Sequence, residues 1–310
     1  MAMATTEVEG TSGDPSSGAT RRRIPMALVT WAFVLLILVL VVLLLIVKIT
    51  RGTTTVHAPP VAPASGAVVR AVTSVPTQTF DAVGAPEAGQ PGETLLSGQG
   101  PLSIEGRPAV VFVGAEFCPY CAAERWALVV ALGRFGTFSH LGATSSSASE
   151  VFPGTPTFSF DGTTYASRYL SFAAVEEYGG APATTTRAGF PRLHGLDAME
   201  ATLLRRYDAA PYVPGSGVLP FVDVGDRLVE SGAGLGFSPG VFQGLSMSQV
   251  ATDLGQAQSP VAQAVLGAAN RLTAAMCAVT ADRPAPVCES AGVRAGATRL
   301  GLPDPPPTSP

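Results

Sequence analysis

Five apolar residues, Ala109-Val-Val-Phe-Val113, run almost directly into Cys118-Pro-Tyr-Cys121. No other feature constrains the fold as much. An unbroken apolar run of this length predicts a strand buried on both faces. Pro119 has no N–H to satisfy, so it suits the first turn of a helix. That helix is expected over Pro119 to Leu132, with Trp126, Val129, Val130 and Gly133 on one face. A cysteine at the junction sees unpaired backbone N–H groups and the positive end of the helix dipole, both of which favour its thiolate. Cys118 is therefore the candidate attacking thiol, and Cys121, one turn further in, the candidate resolving thiol. Pro119 and Tyr120 bring no charge, so the shift at Cys118 is expected mainly from the helix end. C-x-x-C also serves as half a zinc site or as a plain structural bridge. Placement between a buried strand and a helix favours the redox reading over both.

The other two cysteines, Cys277 and Cys288, flank a loop holding Pro284 and Pro286. Their spacing suits a structural disulfide tying the C-terminal segment to the last long helix, given an oxidising compartment. Connectivity cannot be read from spacing alone. His57, His140 and His194 are isolated, and C-x-x-C with C-x10-C is not a common ligand spacing, so neither a metal nor a cofactor is expected. Charged residues make up 14% of the chain, with one lysine, Lys48, beside eighteen arginines and a formal net charge of −4. No basic stretch interleaves with aromatics, which argues against a nucleic-acid partner.

From Ile24 to Val47 there is no charged residue. A helix of that length covers roughly 36 Å and predicts a transmembrane span. Arg21, Arg22 and Arg23 precede it, Lys48 and Arg51 follow, and Trp31 is a candidate interfacial anchor. The bias places the N-terminus in the cytoplasm and the rest outside, in a single-pass cell-membrane protein. A cleaved signal peptide is the alternative, but its apolar core would be ~7–15 residues. The expected organisation is a disordered cytoplasmic tail over 1–23, the transmembrane helix over 24–47 and an extended linker over 48–69. A folded domain over 70–290 follows, then a disordered tail over 291–310.

Within the domain, Phe158 to Phe160, Asp161-Gly162 and Arg168 to Val175 predict a hairpin. Leu196 to Tyr207 predicts an amphipathic helix. Leu219 to Val224 and Leu228 to Ser231 predict a second hairpin around Gly225-Asp226. Ser246 with Gln249 forms a capping box, and Ser259-Pro260 opens another helix with Val261, Val265, Leu272, Met276 and Val279 on one stripe. The order is that of an α/β layered fold with a central mixed sheet.

Ala115-Glu-Phe-Cys-Pro-Tyr-Cys121 after an apolar strand resembles the active-site segment of the thioredoxin superfamily, and Cys-Pro-Tyr-Cys is the glutaredoxin form. Phe112 to Trp126, with Thr155-Pro-Thr-Phe158 and Tyr169-Leu-Ser-Phe172, resembles a narrower group, the membrane-anchored prokaryotic family called domain of unknown function 929. The resemblance covers about residues 76–290. It implies a thioredoxin-like mixed sheet flanked by helices, with an inserted subdomain over about 136–218, behind one transmembrane helix. It also implies a cis proline beside the cysteines at the start of a later strand. Pro220 fits best and Pro156 is a rival. Typical thioredoxins bury an acid six residues before the first cysteine, where this chain has Phe112. Glu116 and Glu124 are candidate substitutes as proton acceptors, though each also reads as a solvated charge.

These features point to a membrane-anchored, extracytoplasmic thiol–disulfide oxidoreductase. Its partners would be protein thiols or disulfides, membrane lipid around one helix, and a separate membrane redox partner that recycles it. The competing expectation is a non-catalytic binding or scaffold module whose Cys118–Cys121 bridge is structural. Metal delivery by the pair is a third expectation that no Met-rich or His-rich tract supports.

Overall fold

A computed structural model describes residues 26–50, 61–86, 93–98, 100–180, 189–213, 215–232, 234 and 236–303. The expected tail at 1–23, His57 with residues 51–60 of the linker, and residues 304–310 lie outside them. The chain divides into two compact units, Met1–Thr54 and Thr55–Pro310.

The described part of the first unit is helix α1 (Met26–Thr50). The expectation of a membrane-crossing helix over 24–47 is overturned: among the described residues, no helix is long and apolar enough to cross a membrane.

The second unit opens with β1 (Ala62–Pro63), α2 (Gly66–Thr73), α3 (Thr77–Val83), β2 (Glu93–Leu95) and β3 (Ser103–Ile104). Then come β4 (Arg107–Gly114) and α4 (Pro119–Leu132), the strand and helix that flank the cysteine motif. β5 (Gly136–Ser139), β6 (Gly142–Ser145), β7 (Pro156–Ser159), β8 (Thr164–Ser167) and β9 (Ser171–Glu176) follow, then α5 (Ala198–Tyr207). A hairpin of β10 (Phe221–Val224) and β11 (Leu228–Ser231) leads to a 3-10 turn at Pro239–Phe242. The last helices are α6 (Met247–Asp253), α7 (Pro260–Val279), α8 (Ala285–Cys288) and α9 (Ala291–Leu300).

β4 is the hub of a six-stranded sheet. It runs parallel to β9 and antiparallel to β10, with Val111 opposite both Ala173 and Asp223. β11 pairs antiparallel with β10 and with β2. Successive side chains of β4 serve opposite faces, as the pleat requires. Val110 and Phe112 join Val222, Val224 and Leu228 in the large core under α4 and α7. Val111 and Val113 join Val175, Phe221 and Val229 in a smaller core under Leu203 and Tyr207 of α5. Both faces are therefore covered, and that is why the run carries no polar alternation. At the β10–β11 turn, Gly225 (φ 63°) and Asp226 (φ 54°) both adopt left-handed backbone, which these two residue types tolerate.

Several boundaries differ from the expected ones. Phe158 to Phe160 and Arg168 to Val175 do not form a hairpin with each other. Asp161-Gly162 does turn, with Gly162 at φ 70°, but β7 pairs with β6, β8 with β5, and β9 with β4. β9 thus lies inside the span expected as an insertion, yet it belongs to the central sheet. Between α4 and β9 the chain forms β5 to β8, which build two small sheets: β6 and β7 pair with each other and β6 also with β1, while β5 pairs with β8. Residues 291–300, expected in a disordered tail, form α9 with Val293 and Ala297 buried. The expected linker contributes β1 and the start of α2.

Candidate functional site

β4 ends at Gly114, and the chain reaches Cys118 after one short turn. Cys118 caps α4: its backbone is extended (φ −78°, ψ 124°) and its Sγ accepts from the Cys121 N–H at 3.4 Å. Pro119 occupies the first turn, where its missing N–H costs nothing. Both thiols are free; Cys118 is 7% exposed and Cys121 fully buried. The peptide bond Leu219–Pro220 is cis, whereas Pro156 is not among the cis prolines. As a thiol, Cys118 donates to the Leu219 carbonyl at 3.7 Å, so the residue before Pro220 meets the motif directly. Tyr120 packs edge-on against Phe152, and Phe117 stacks on Phe190 at 4.1 Å.

The two thiols differ. Cys118 is shifted below the ordinary thiol range, first by a hydrogen bond with the Cys121 side chain and then, against the cost of burial, by the Cys121 N–H and the charge of Arg125. The helix end, expected as the main cause, contributes through that N–H but is not the largest influence. Burial pushes Cys121 well above the ordinary range, and its neighbour Cys118 adds to that.

Glu116 and Glu124 are buried, at 4% and 1% exposure, not solvated. The Ser159 hydroxyl donates to Glu116 at 2.7 Å, and burial raises the Glu116 carboxyl. Glu124 belongs to a different cluster with Glu93, Glu230 and Arg271, in which Arg271 pairs with Glu93. Burial raises Glu124 to about 8, and one of its oxygens has no hydrogen-bond partner.

Sequence reasoning missed Arg125, Glu176 and Ser159. Arg125 is fully buried. Its Nε and Nη2 donate to the two Glu176 oxygens at 2.8 and 2.5 Å, and Nη2 also donates to the Ala115 carbonyl at 2.8 Å. Its guanidinium carbon lies 5.6 Å from the centre of the Phe112 ring, a cation–π contact. One signal was present. Glu124-Arg125 is the only charged pair in a helix whose other residues are mostly Ala, Val, Leu and Trp, so burial on all sides forces both inward.

Cys277 and Cys288 form a disulfide with Cα atoms 5.7 Å apart. A cavity of about 380 Å³ lies beside it, lined in part by Arg227, Asp282 and Arg294 and by no residue of the Cys118 motif. Among the described residues, no group of three His, Cys, Asp or Glu side chains could hold a metal ion. No curated protein and no solved structure matches the chain. Residues 96–186, which contain β4, the cysteine motif, α4 and β9, match the model of a domain of unknown function, DUF929.

Proposed function

We propose that the chain is a thiol–disulfide oxidoreductase acting through Cys118 and Cys121 on protein thiols and disulfides outside the cytoplasm. The observation that carries this reading is the asymmetry of the pair: a helix-capping thiol biased toward the thiolate, beside a fully buried thiol biased against it. Such a division suits attack by one sulfur and later resolution by the other. In the reductive direction, the Cys118 thiolate attacks a substrate disulfide, forming a mixed disulfide and releasing one substrate thiolate, which takes up a proton. Cys121 then loses its proton and attacks Cys118 Sγ, releasing the second substrate thiol. Two electrons pass from the dithiol to the substrate, and the reverse sequence oxidises a substrate dithiol.

The resemblance to the thioredoxin superfamily belongs to the same reading, with Pro220 shaping the surface beside Cys118. The Cys277–Cys288 bridge supports an oxidising, extracytoplasmic compartment. A separate redox partner would recycle the pair.

The test is Cys118→Ser in the full-length chain, assayed by insulin reduction and RNase reoxidation. Loss of activity in both assays is expected; activity retained by the variant overturns the reading. The 7% exposure of Cys118 favours one alternative, a binding module with a structural bridge. A glutathione titration separates the two. A potential between about −120 and −270 mV belongs to working oxidoreductases, and one below about −300 mV to a bridge that resists reduction.

A further inference from the structure

Arg125 stands in an unusual place. It lies four residues after Cys121 on α4, and residues so spaced share a helix face. Ala115, whose carbonyl it grips, is the first residue beyond β4 on the way to the motif. Phe112, at the position six before Cys118, lies against the guanidinium with its ring, so a cation occupies the region beneath the pair. Two of its three nitrogens are engaged with Glu176 or Ala115, and Nη1 is buried without a hydrogen-bond partner. The other ionisable groups facing this region are Glu176, which pairs with Arg125, and Glu116, which burial holds toward its neutral form, with Asp161 beyond them. Arg125 is the charged group that acts on both Cys118 and Cys121, and on each it favours the thiolate.

Resting on the oxidoreductase reading, we infer that Arg125 is a positioning residue whose buried charge favours the reduced pair over the disulfide, so that the pair works as an oxidant of substrate dithiols. A charge that stabilises a thiolate stabilises the reduced state and makes the disulfide a stronger electron acceptor. In the step so favoured, a substrate thiolate attacks the Cys118–Cys121 disulfide at Cys118 Sγ, and the second substrate thiol then displaces Cys118. The substrate leaves as a disulfide. The pair gains two electrons; of the two substrate thiol protons, one is taken up by Cys121 as it is displaced and one goes to solvent, and Cys118 leaves as the thiolate. Re-forming the pair requires a disulfide-bearing partner that takes the two electrons.

Arg125→Met alone would leave Glu176 as an unpaired buried charge, which is strongly destabilising. The test therefore uses Arg125→Met/Glu176→Gln and Glu176→Gln, with Arg125→Lys as the conservative variant, all in the full-length chain. Two quantities are read: the glutathione equilibrium constant of the pair, and the pH midpoint of ultraviolet thiolate absorbance. The double variant should shift the equilibrium about tenfold toward the disulfide, which is about 30 mV for a two-electron couple, and raise the thiolate midpoint. Arg125→Lys should retain most of the wild-type values. Glu176→Gln removes the counter-charge but keeps an amide oxygen that accepts from the guanidinium; where that variant folds, it should move both readouts the opposite way, a sign change that a merely structural role would not produce, and the double variant decides the matter where it does not. A folded double variant with a wild-type thiolate midpoint overturns the inference. If the wild-type pair fails to exchange with glutathione, the oxidoreductase reading falls, and the thiolate midpoint alone still decides whether Arg125 acts on the pair.

Discussion

Glu124 shows how far one side chain can depart from what its identity suggests. It sits three residues after Cys121, on a helix with almost no exposed side, among Glu93, Glu230 and Arg271. Burial, reinforced by Glu93, lifts its carboxyl from the ordinary 4.5 to about 8. Between those pH values the unfolded chain ionises this group while the folded chain keeps its proton. Stability is therefore fully present below about pH 4.5, drains as pH rises toward about 8, and levels off above. Glu124→Gln keeps the shape without the proton equilibrium. The variant should match the parent in thermal unfolding at pH 4 and melt higher at pH 8, by about 2–4 °C for each kcal/mol relieved. A difference that does not grow with pH would show that the carboxyl is already ionised in the fold. The sequence announces the acid at position 124 but not its burial, because burial depends on α7 and β11 closing over it from distant parts of the chain. The cysteines are the opposite case, since spacing and an adjacent proline identify them without any partner.

Single elements were legible where their signals are local. Ser246 with Gln249 forms a reciprocal capping box at the start of α6, and the Ser259 hydroxyl accepts from the Ala262 N–H ahead of Pro260 and α7. Helix α9 went unread because Ala-Gly-Val-Arg-Ala-Gly-Ala-Thr-Arg-Leu carries little apolar bulk. Its small residues reflect close packing. A Cβ at Gly296 would come within 2.5 Å of the Asn270 carbonyl oxygen on α7, and one at Gly292 within 2.6 Å of the Phe80 carbonyl. Gly296→Ala therefore sets two effects against each other. Helix propensity favours alanine by about 1 kcal/mol, whereas a clash with rigid backbone costs typically ~1–3 kcal/mol. The clash should win, and urea unfolding should show a net loss of stability. A gain would mean that α9 slides on α7 at little cost. The hairpin expected around Asp161-Gly162 failed for a related reason. The turn forms, but turn chemistry does not specify which strands pair, and the flanking strands found partners elsewhere.

At the scale of the whole molecule, the Cys277–Cys288 bridge fastens α8 to the end of α7, ahead of α9. With a sequence separation of 11, the chain-entropy treatment assigns the bridge about 3 kcal/mol. Cys277→Ser/Cys288→Ser should lower the urea midpoint by a corresponding amount, and an unchanged midpoint would mean that packing of α7 against α9 already holds this end. By itself, the sequence determined the buried strand β4, helix α4, the β10–β11 hairpin and the identity of both thiols at the junction. Those rest on residue type and near-neighbour spacing. Only the tertiary structure decided that β9 runs parallel to β4, that Leu219 and Pro220 lie at Cys118, and that Arg125 and Glu176, 51 positions apart, meet beneath the pair. Each of these juxtaposes distant segments. What joins them is burial of apolar faces, which acts on area and has no address in the local sequence.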